Sequence, residues 1–360
     1  MKRYLFLAAI ALVFSGIAGC NSGKSGGVTA GGSDKPKVAV ITNCTAEFWS
    51  ICEAGAKKAG DEFGVEVIFR QPNTNTVTDQ MEIVQAVNRV GIKGLAVSVI
   101  NPKEQTPDLK LIGSKVSLIT MDNDAVDSGR MCYVGINNYD AGKAVGRLVK
   151  KALPDGGTVA LFIGNTTSAN AKDRVAGVLD ELDGQDNRAA INNGTFKESY
   201  GKYKLFRKAP YEDETKEAKA QDNAKEAIEQ LKGTPNVCMI GLYAYNPKAI
   251  LEAARSKQVV GKIKIVGFDE DSVTLDGISK GEIEGTVVQD PFNYGYESVR
   301  LLSILAKGGD KSQLPKHPTP YRVVTKNGGP DEKIDGQTIS NSKASDYMKK
   351  IQDDLKSVAK

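Results

Sequence analysis

The side chains able to do chemistry in this sequence are mostly planar, and they fall just after short runs rich in Val and Ile. Asn43, Phe48 and Trp49 follow the run 37–42, Asp122 and Asn123 follow 116–121, and Arg174 follows 157–164. Asn246 follows 237–243, Asp269 follows 262–268, and Gln289 closes 283–289. Carboxylate, carboxamide and guanidinium groups each hold two neighbouring hydroxyls at once, as paired acceptors, paired donors or one of each. Sugars present hydroxyls at that spacing, and the rings of Phe48 and Trp49 suit the C–H face of a sugar ring. Each residue also has a plainer reading. Asp122, Asp269 and Asn246 are the residue types of helix N-caps, and Arg174 beside Asp173 reads as a surface ion pair. Adjacent helical residues such as Phe48 and Trp49 do not share one face, so one of them reads as structural. It is the joint placement at strand ends that carries the binding reading, because in open parallel sheets ligands sit beyond the carboxyl ends of the strands.

Other chemistries are poorly served. His317 is the only histidine of the chain, so neither a zinc site nor a Ser-His-Asp or Cys-His nucleophile is available, and no metal, cofactor or catalytic residue is expected. Cys44, Cys52, Cys132 and Cys238 lack Cys-x-x-Cys spacing and stand in apolar contexts. They read as buried, inert thiols, although an oxidising compartment would allow three full pairings. With 48 basic and 44 acidic side chains the net charge is only +4, and no Lys/Arg block suggests nucleic acid.

The elements that must position these groups alternate in type. Apolar runs at 37–42, 65–69, 94–99, 116–121 and 131–135 read as strands, separated by stripes of helical period such as Met81, Val84, Val87 and Val90. Asp140 reads as the cap of a helix that turns Ala144, Val145, Leu148 and Val149 inward. The pattern then begins again, with strands at 157–164, about 202–208, 237–243, 262–268, 283–289 and 321–325, and a helix over 293–306. Residues 183–201 read as a polar loop insertion and the last thirty as an outer helix. A chain of 360 residues suits two domains, and the fold class expected is α/β with two doubly wound parallel-sheet lobes.

At the start, Lys2 and Arg3 precede an apolar run from Tyr4 to Phe14, of the length of a signal-peptide core. It ends in Ile17-Ala18-Gly19-Cys20, which resembles the lipobox of bacterial lipoproteins and implies a lipid on Cys20. The Gly/Ser-rich stretch that follows reads as a tether. The expectation is a periplasmic or cell-surface globule held to the membrane through that lipid only.

From Lys37 to about Thr325 the chain resembles the type I periplasmic sugar-binding proteins, the ribose-binding group in particular. FWSICEAGAKKAGDEFGVEV, TMDND, AKDRVAG, YNPKAILEA, IVGFDED and VVQDPFNYG carry the likeness. The resemblance implies that Phe48, Trp49, Asp122, Arg174, Asn246, Asp269 and Gln289 line a sugar site. It further implies a three-crossing hinge near Asn138, Gln289 and Leu314, with one lobe of residues 37–138 plus 290–314 and the other of 139–289 plus 315–330. Residues 1–19 would be the signal peptide, 20–36 the lipidated Cys and tether, and 331–360 an extension. The implied partner is the permease of an ABC importer, or a chemoreceptor or sensor kinase reading the closed form. Asn123 stands where ribose binders have Arg, and Asp213 stands near a usual aromatic, so the resemblance leaves the choice among pentose, hexose and polyol open. An exported glycoside-acting enzyme is the rival reading, with Asp122 and Asp269 as its carboxylate pair; a repressor core is another, but a signal peptide stands where its DNA-binding helices would be.

Overall fold

The computed structural model describes residues 35–334 and 336–357; the apolar leader, Cys20 and all but the end of the tether lie outside the described residues. Strands whose apolar runs are continuous must be covered on both faces, and that requirement builds two lobes. In the first, β1 (Lys37–Ile41), β2 (Glu66–Arg70), β3 (Gly94–Val97), β4 (Ser117–Met121) and β5 (Tyr133–Val134) pair in the order β2-β1-β3-β4-β5, all parallel. Helices α1 (Glu47–Phe63), α2 (Val77–Arg89) and α3 (Pro102–Gly113) make the crossovers. Helix α3 has no clear stripe in the sequence and contains Pro107, but Asn101 caps it by accepting from the Lys103 N–H, and Pro102 starts it.

The second lobe follows with α4 (Asn138–Ala152), β6 (Gly157–Ile163), α5 (Ala169–Asp183), α6 (Arg188–Asn192), β7 (Ser199–Tyr200), β8 (Tyr203–Leu205) and β9 (Tyr211–Glu212). Next come α7 (Glu217–Leu231), β10 (Val237–Gly241), α8 (Asn246–Ser256), β11 (Ile263–Phe268), α9 (Ser272–Lys280) and β12 (Gly285–Val288). Helix α10 (Pro291–Ala306) returns to the first lobe, and β13 (Arg322–Thr325), β14 (Glu332–Ile334), β15 (Gln337–Lys343) and α11 (Ala344–Lys356) complete the second. Its strands run β14-β15-β13-β12-β11-β10-β6-β8-β7, with β9 also on β6. The centre is parallel, while β12–β13, β14–β15 and β7–β8 are antiparallel.

Two helix pairs approach so closely that only glycine fits between them. A Cβ on Gly55 of α1 would sit 1.9 Å from the Phe292 carbonyl oxygen, and one on Gly295 of α10 1.9 Å from that of Cys52. A Cβ on Gly142 of α4 would likewise meet the Arg174 carbonyl oxygen at 2.4 Å, so this second contact fixes the helix that bears Arg174.

The chain passes between lobes after β5, after β12 and between α10 and β13, and the three passages are tied together. The Thr319 N–H donates to the Gly135 carbonyl at 2.7 Å. The Tyr294 hydroxyl accepts from the Ile136 N–H at 3.1 Å and donates to Gln289 Oε1 at 3.2 Å.

Three expectations are corrected. Asn137, not Asp140, caps α4, its side chain accepting from the N–H groups of Tyr139 and Asp140. Residues 183–201 are not all loop, because Ile191 and Tyr200 are buried and anchor α6 and β7. The last thirty residues contain the β14–β15 hairpin as well as α11, since only Ile334 and Ile339 mark the strands in an otherwise polar stretch.

Candidate functional site

The strand ends of both lobes open onto one cleft. Asn43, Cys44, Phe48, Trp49 and Asp122 line it from the first lobe, and Asn170, Arg174, Tyr243, Tyr245 and Asp269 from the second, around about 350 Å³ of unfilled space.

Arg174 is the centre. It is only 1 % exposed, and its Nε donates to Asn138 Oδ1 and its Nη1 to the Leu242 carbonyl, both at 2.9 Å. Its guanidinium carbon lies 3.8 Å from the centre of the Phe268 ring, an arrangement that holds the fork flat. Nη2 has no hydrogen-bond partner. Asp122 Oδ1 stands 3.8 Å from that Nη2, and Asp269 Oδ2 stands 3.9 Å from Nη1. These distances give attraction without a hydrogen bond, so one carboxylate from each lobe faces a donor that still has capacity.

Both aspartates sit at positive φ, 58° for Asp122 and 67° for Asp269, a conformation that Asp tolerates better than most residues and that turns each carboxylate out of its strand end. Neither is a helix cap. Asp271 caps α9 instead, accepting from Val273 and Thr274. Ser98 Oγ donates to Asp122 at 2.9 Å, and Gln289 Nε2 donates to Asp269 at 2.7 Å. Burial raises both carboxyls above their ordinary range, against the opposing pull of Arg174.

The first turn of α1 resolves the question of the adjacent aromatics. Phe48 and Trp49, at the start of α1, line the cleft together, their rings 4.8 Å apart and edge to face. Trp49 Nε1 donates to Asn43 Oδ1 at 3.2 Å, and the Asn43 amide reaches Asp122 at 3.5 Å.

The remaining expected residues stand one step back. Gln289 orients Asp269. Asn246 opens α8 and accepts from the Tyr243 N–H, while its amide donates to Asp213 at 2.8 Å. Asn123 is wholly buried and donates to the Val99 carbonyl, and its Oδ1 accepts the Asn170 N–H at 3.0 Å, which links the two lobes. Neither Asn123, Asn246 nor Gln289 lines the cleft. Arg174 makes no pair with Asp173, which pairs with Arg188 at 2.7 Å.

The sequence reading passed over Tyr243, Tyr245 and Asn170. The two tyrosines follow the same strand that selected Asn246, so the strand-end rule itself reaches them. Tyr245 donates to Asp213 at 2.6 Å, and burial pushes that carboxyl up to about 6. All four described cysteines are unpaired and buried; burial pushes the Cys44 thiol up to about 12.

A cleft between two parallel-sheet lobes, joined by three tied crossings, is matched by comparison with known proteins. The model of the periplasmic binding protein domain matches residues 38–310. The chain belongs to the periplasmic binding protein family. This periplasmic binding protein is 23 % identical over 307 residues to the ribose import binding protein RbsB of Salmonella typhimurium, covering 83 % of this chain and 94 % of that one. A solute binding protein of an ABC transporter from Burkholderia graminis, solved in complex with D-arabinose, superposes with a TM-score of 0.71 at 26 % identity, covering 81 % and 96 % of the two chains. GanP, a glucose-galactose binding protein from Geobacillus stearothermophilus, shares the fold with a TM-score of 0.70 at 23 % identity, over 82 % and 99 %.

Proposed function

We propose that this periplasmic binding protein takes up a small sugar in the cleft, closes its lobes around it and delivers it to the permease of an ABC importer. The observation that carries the reading is the buried Arg174, with a free Nη2 donor and an aspartate from each lobe within 4 Å. Hydroxyls inserted between these groups accept from the guanidinium and donate to the carboxylates, while Phe48, Trp49, Tyr243 and Tyr245 form apolar walls. The relative named for ribose import and the one solved with D-arabinose support a pentose. We read residues 37–138 plus 290–314 and 139–289 plus 315–330 as the bodies that move, with β14, β15 and α11 carried by the second, since a ligand touching both stabilises only their closed arrangement. The lipobox-like Ile17-Ala18-Gly19-Cys20 supports anchoring through a lipid on Cys20, outside the cytoplasm.

We read the site as binding and not turning over its ligand. Asp122 and Asp269 are each engaged by a donor and by Arg174, which suits holding hydroxyls more than passing protons. Calorimetric titration with D-ribose, D-arabinose, D-xylose, D-allose, D-glucose, D-galactose and simple polyols tests the proposal. Saturable binding of at least one, weakened by Asp269→Ala, is the expected result. Heat from none of them, or release of the phenol from an aryl glycoside, would overturn it.

A further inference from the structure

Helix α11 lies beyond the residues that match the family, yet it reaches the hinge. Ala344 and Tyr347 are buried in the core of the second lobe, with Met348 and Ile351 packed over them. The helix packs on α9, β13 and β15 and also touches α1 of the first lobe. From it, Lys350 Nζ stands 3.1 Å from Asp290 Oδ2 and 2.7 Å from Asp354 Oδ2, with the Tyr347 ring alongside. Asp290 caps α10 at the second crossing, in a left-handed conformation at φ 74°. It follows Gln289, whose amide holds the Asp269 carboxylate.

Next to Asp269 lies Glu270, 3 % exposed, with neither carboxyl oxygen hydrogen-bonded to a side chain. The charges facing it are Asp269 from its own loop, Asp290 from the crossing and Lys350 from α11, and Glu47 of α1, Glu217 of α7, Lys248 of α8 and Asp271 line a cavity with it. Tyr347 of α11 lies in the same cluster and also faces Arg322 of β13. Two adjacent pairs, Asp269-Glu270 and Gln289-Asp290, therefore bring a ligand-facing residue or its partner and a second carboxyl, buried in Glu270 and half-buried in Asp290, to the same place. Lys350 places its ammonium against both Asp290 and Glu270.

We propose that Lys350 is a positioning residue for the sugar site. It balances Asp290 and Glu270 at the hinge, and through the Asp290–Gln289 segment it keeps the Asp269 carboxylate aimed into the cleft, which makes α11 part of the binding machinery. The inference rests on the sugar-cleft reading. Its pH signature follows from the cluster. Burial holds Glu270 well above the ordinary carboxylate range, so its charge, and the need for an ammonium, grows as pH rises.

The test compares wild type with Lys350→Met and Lys350→Arg, using the best-bound sugar of the panel at pH 5.5 and pH 8.5 and urea unfolding at the same two values. Lys350→Met is expected to weaken binding about ten-fold at the higher pH and less at the lower, with Lys350→Arg restoring most of it. Unchanged affinity at both pH values, or a loss that Lys350→Arg does not restore, overturns the positioning role even if urea midpoints fall. Should wild type bind no sugar, the functional reading fails with it. A pH-dependent stability difference between Lys350→Met and wild type would then leave only a structural charge cluster.

Discussion

Arg174→Met isolates the group on which the cleft depends. Each of its contacts with Asp122 and Asp269, at 3.8 and 3.9 Å, is worth roughly 4 kcal/mol of attraction at an effective dielectric near 20, and desolvation of three buried charges offsets much of this. Truncation leaves two carboxylates without a cation in a buried site, which costs about 3–5 kcal/mol of stability, reduced as the aspartates take up protons. Binding loses a charge-assisted donor, about 2–3 kcal/mol, or roughly 30- to 150-fold in affinity. A fold effect and a site effect separate in the double variant Arg174→Met/Asp269→Asn. Removing one uncompensated charge recovers at least about 1 kcal/mol of stability, while affinity stays lost. Arg174→Lys falls between, since it keeps the charge but not the planar fork stacked on Phe268. The assays are calorimetric titration with the sugar that wild type binds best, and urea unfolding of the same proteins. A single variant that binds within about threefold of wild type would refute the reasoning, as would a double variant in which affinity returns along with stability.

Trp49, the only tryptophan, lines the cleft and is expected to change its emission on ligand binding; a titration that saturates by calorimetry but is silent by fluorescence would remove Trp49 from the contact surface. Asp213 carries a raised carboxyl, about 6 against an ordinary 3.8, so the folded state holds a proton that the unfolded chain releases. Its contribution to stability is present below about pH 4 and is lost as pH rises to about 6, by up to roughly 3 kcal/mol. Asp213→Asn should therefore flatten urea midpoints between those values relative to wild type, and parallel profiles would contradict the shift. Gly295→Ala should destabilise by about 1–3 kcal/mol through overpacking, because its Cβ would lie 1.9 Å from the Cys52 carbonyl oxygen; an unchanged midpoint would mean that α1 and α10 separate freely.

What the sequence displayed was set by how local the cause is. Strands such as 237–243 and 262–268 were legible because burial on both faces demands continuous apolar runs, and strand ends then select the cleft residues with no further knowledge. Helix α3 and the β14–β15 hairpin were not, since caps and cross-strand pairing hold them more than a stripe does. Among the residues that line the cleft, Asp122, Arg174 and Asp269 are each defined by position relative to their own strand, so the rule reaches them. Asn123 was drawn toward the ligand by the same rule, yet its side chain serves the Val99 carbonyl and the Asn170 N–H, partners 24 and 47 residues away that no local pattern announces. Asp213, seen in the sequence only as a missing aromatic, turns out to be satisfied by Tyr245 and Asn246. Tyr243 and Tyr245 line the cleft with aromatic surface in its place.

The charge balance of the cleft also bears on why closure should need a ligand. Asp122 belongs to the first lobe, Arg174 and Asp269 to the second, and closing brings two carboxylates and one guanidinium together out of water. At 3.8 and 3.9 Å the attraction is real but no hydrogen bond joins the guanidinium to either carboxylate, and burial already pushes both aspartates toward their protonated forms. Closed lobes alone thus leave the Arg174 Nη2 donor unsatisfied, a penalty of about 1–3 kcal/mol for a buried polar group and more for a charged one. A ring of hydroxyls satisfies the donor and both carboxylates at once. On the proposed reading, the same groups that make the bare closed state unfavourable supply the differential binding energy for closure, and the size of that difference sets how sharply two shapes separate.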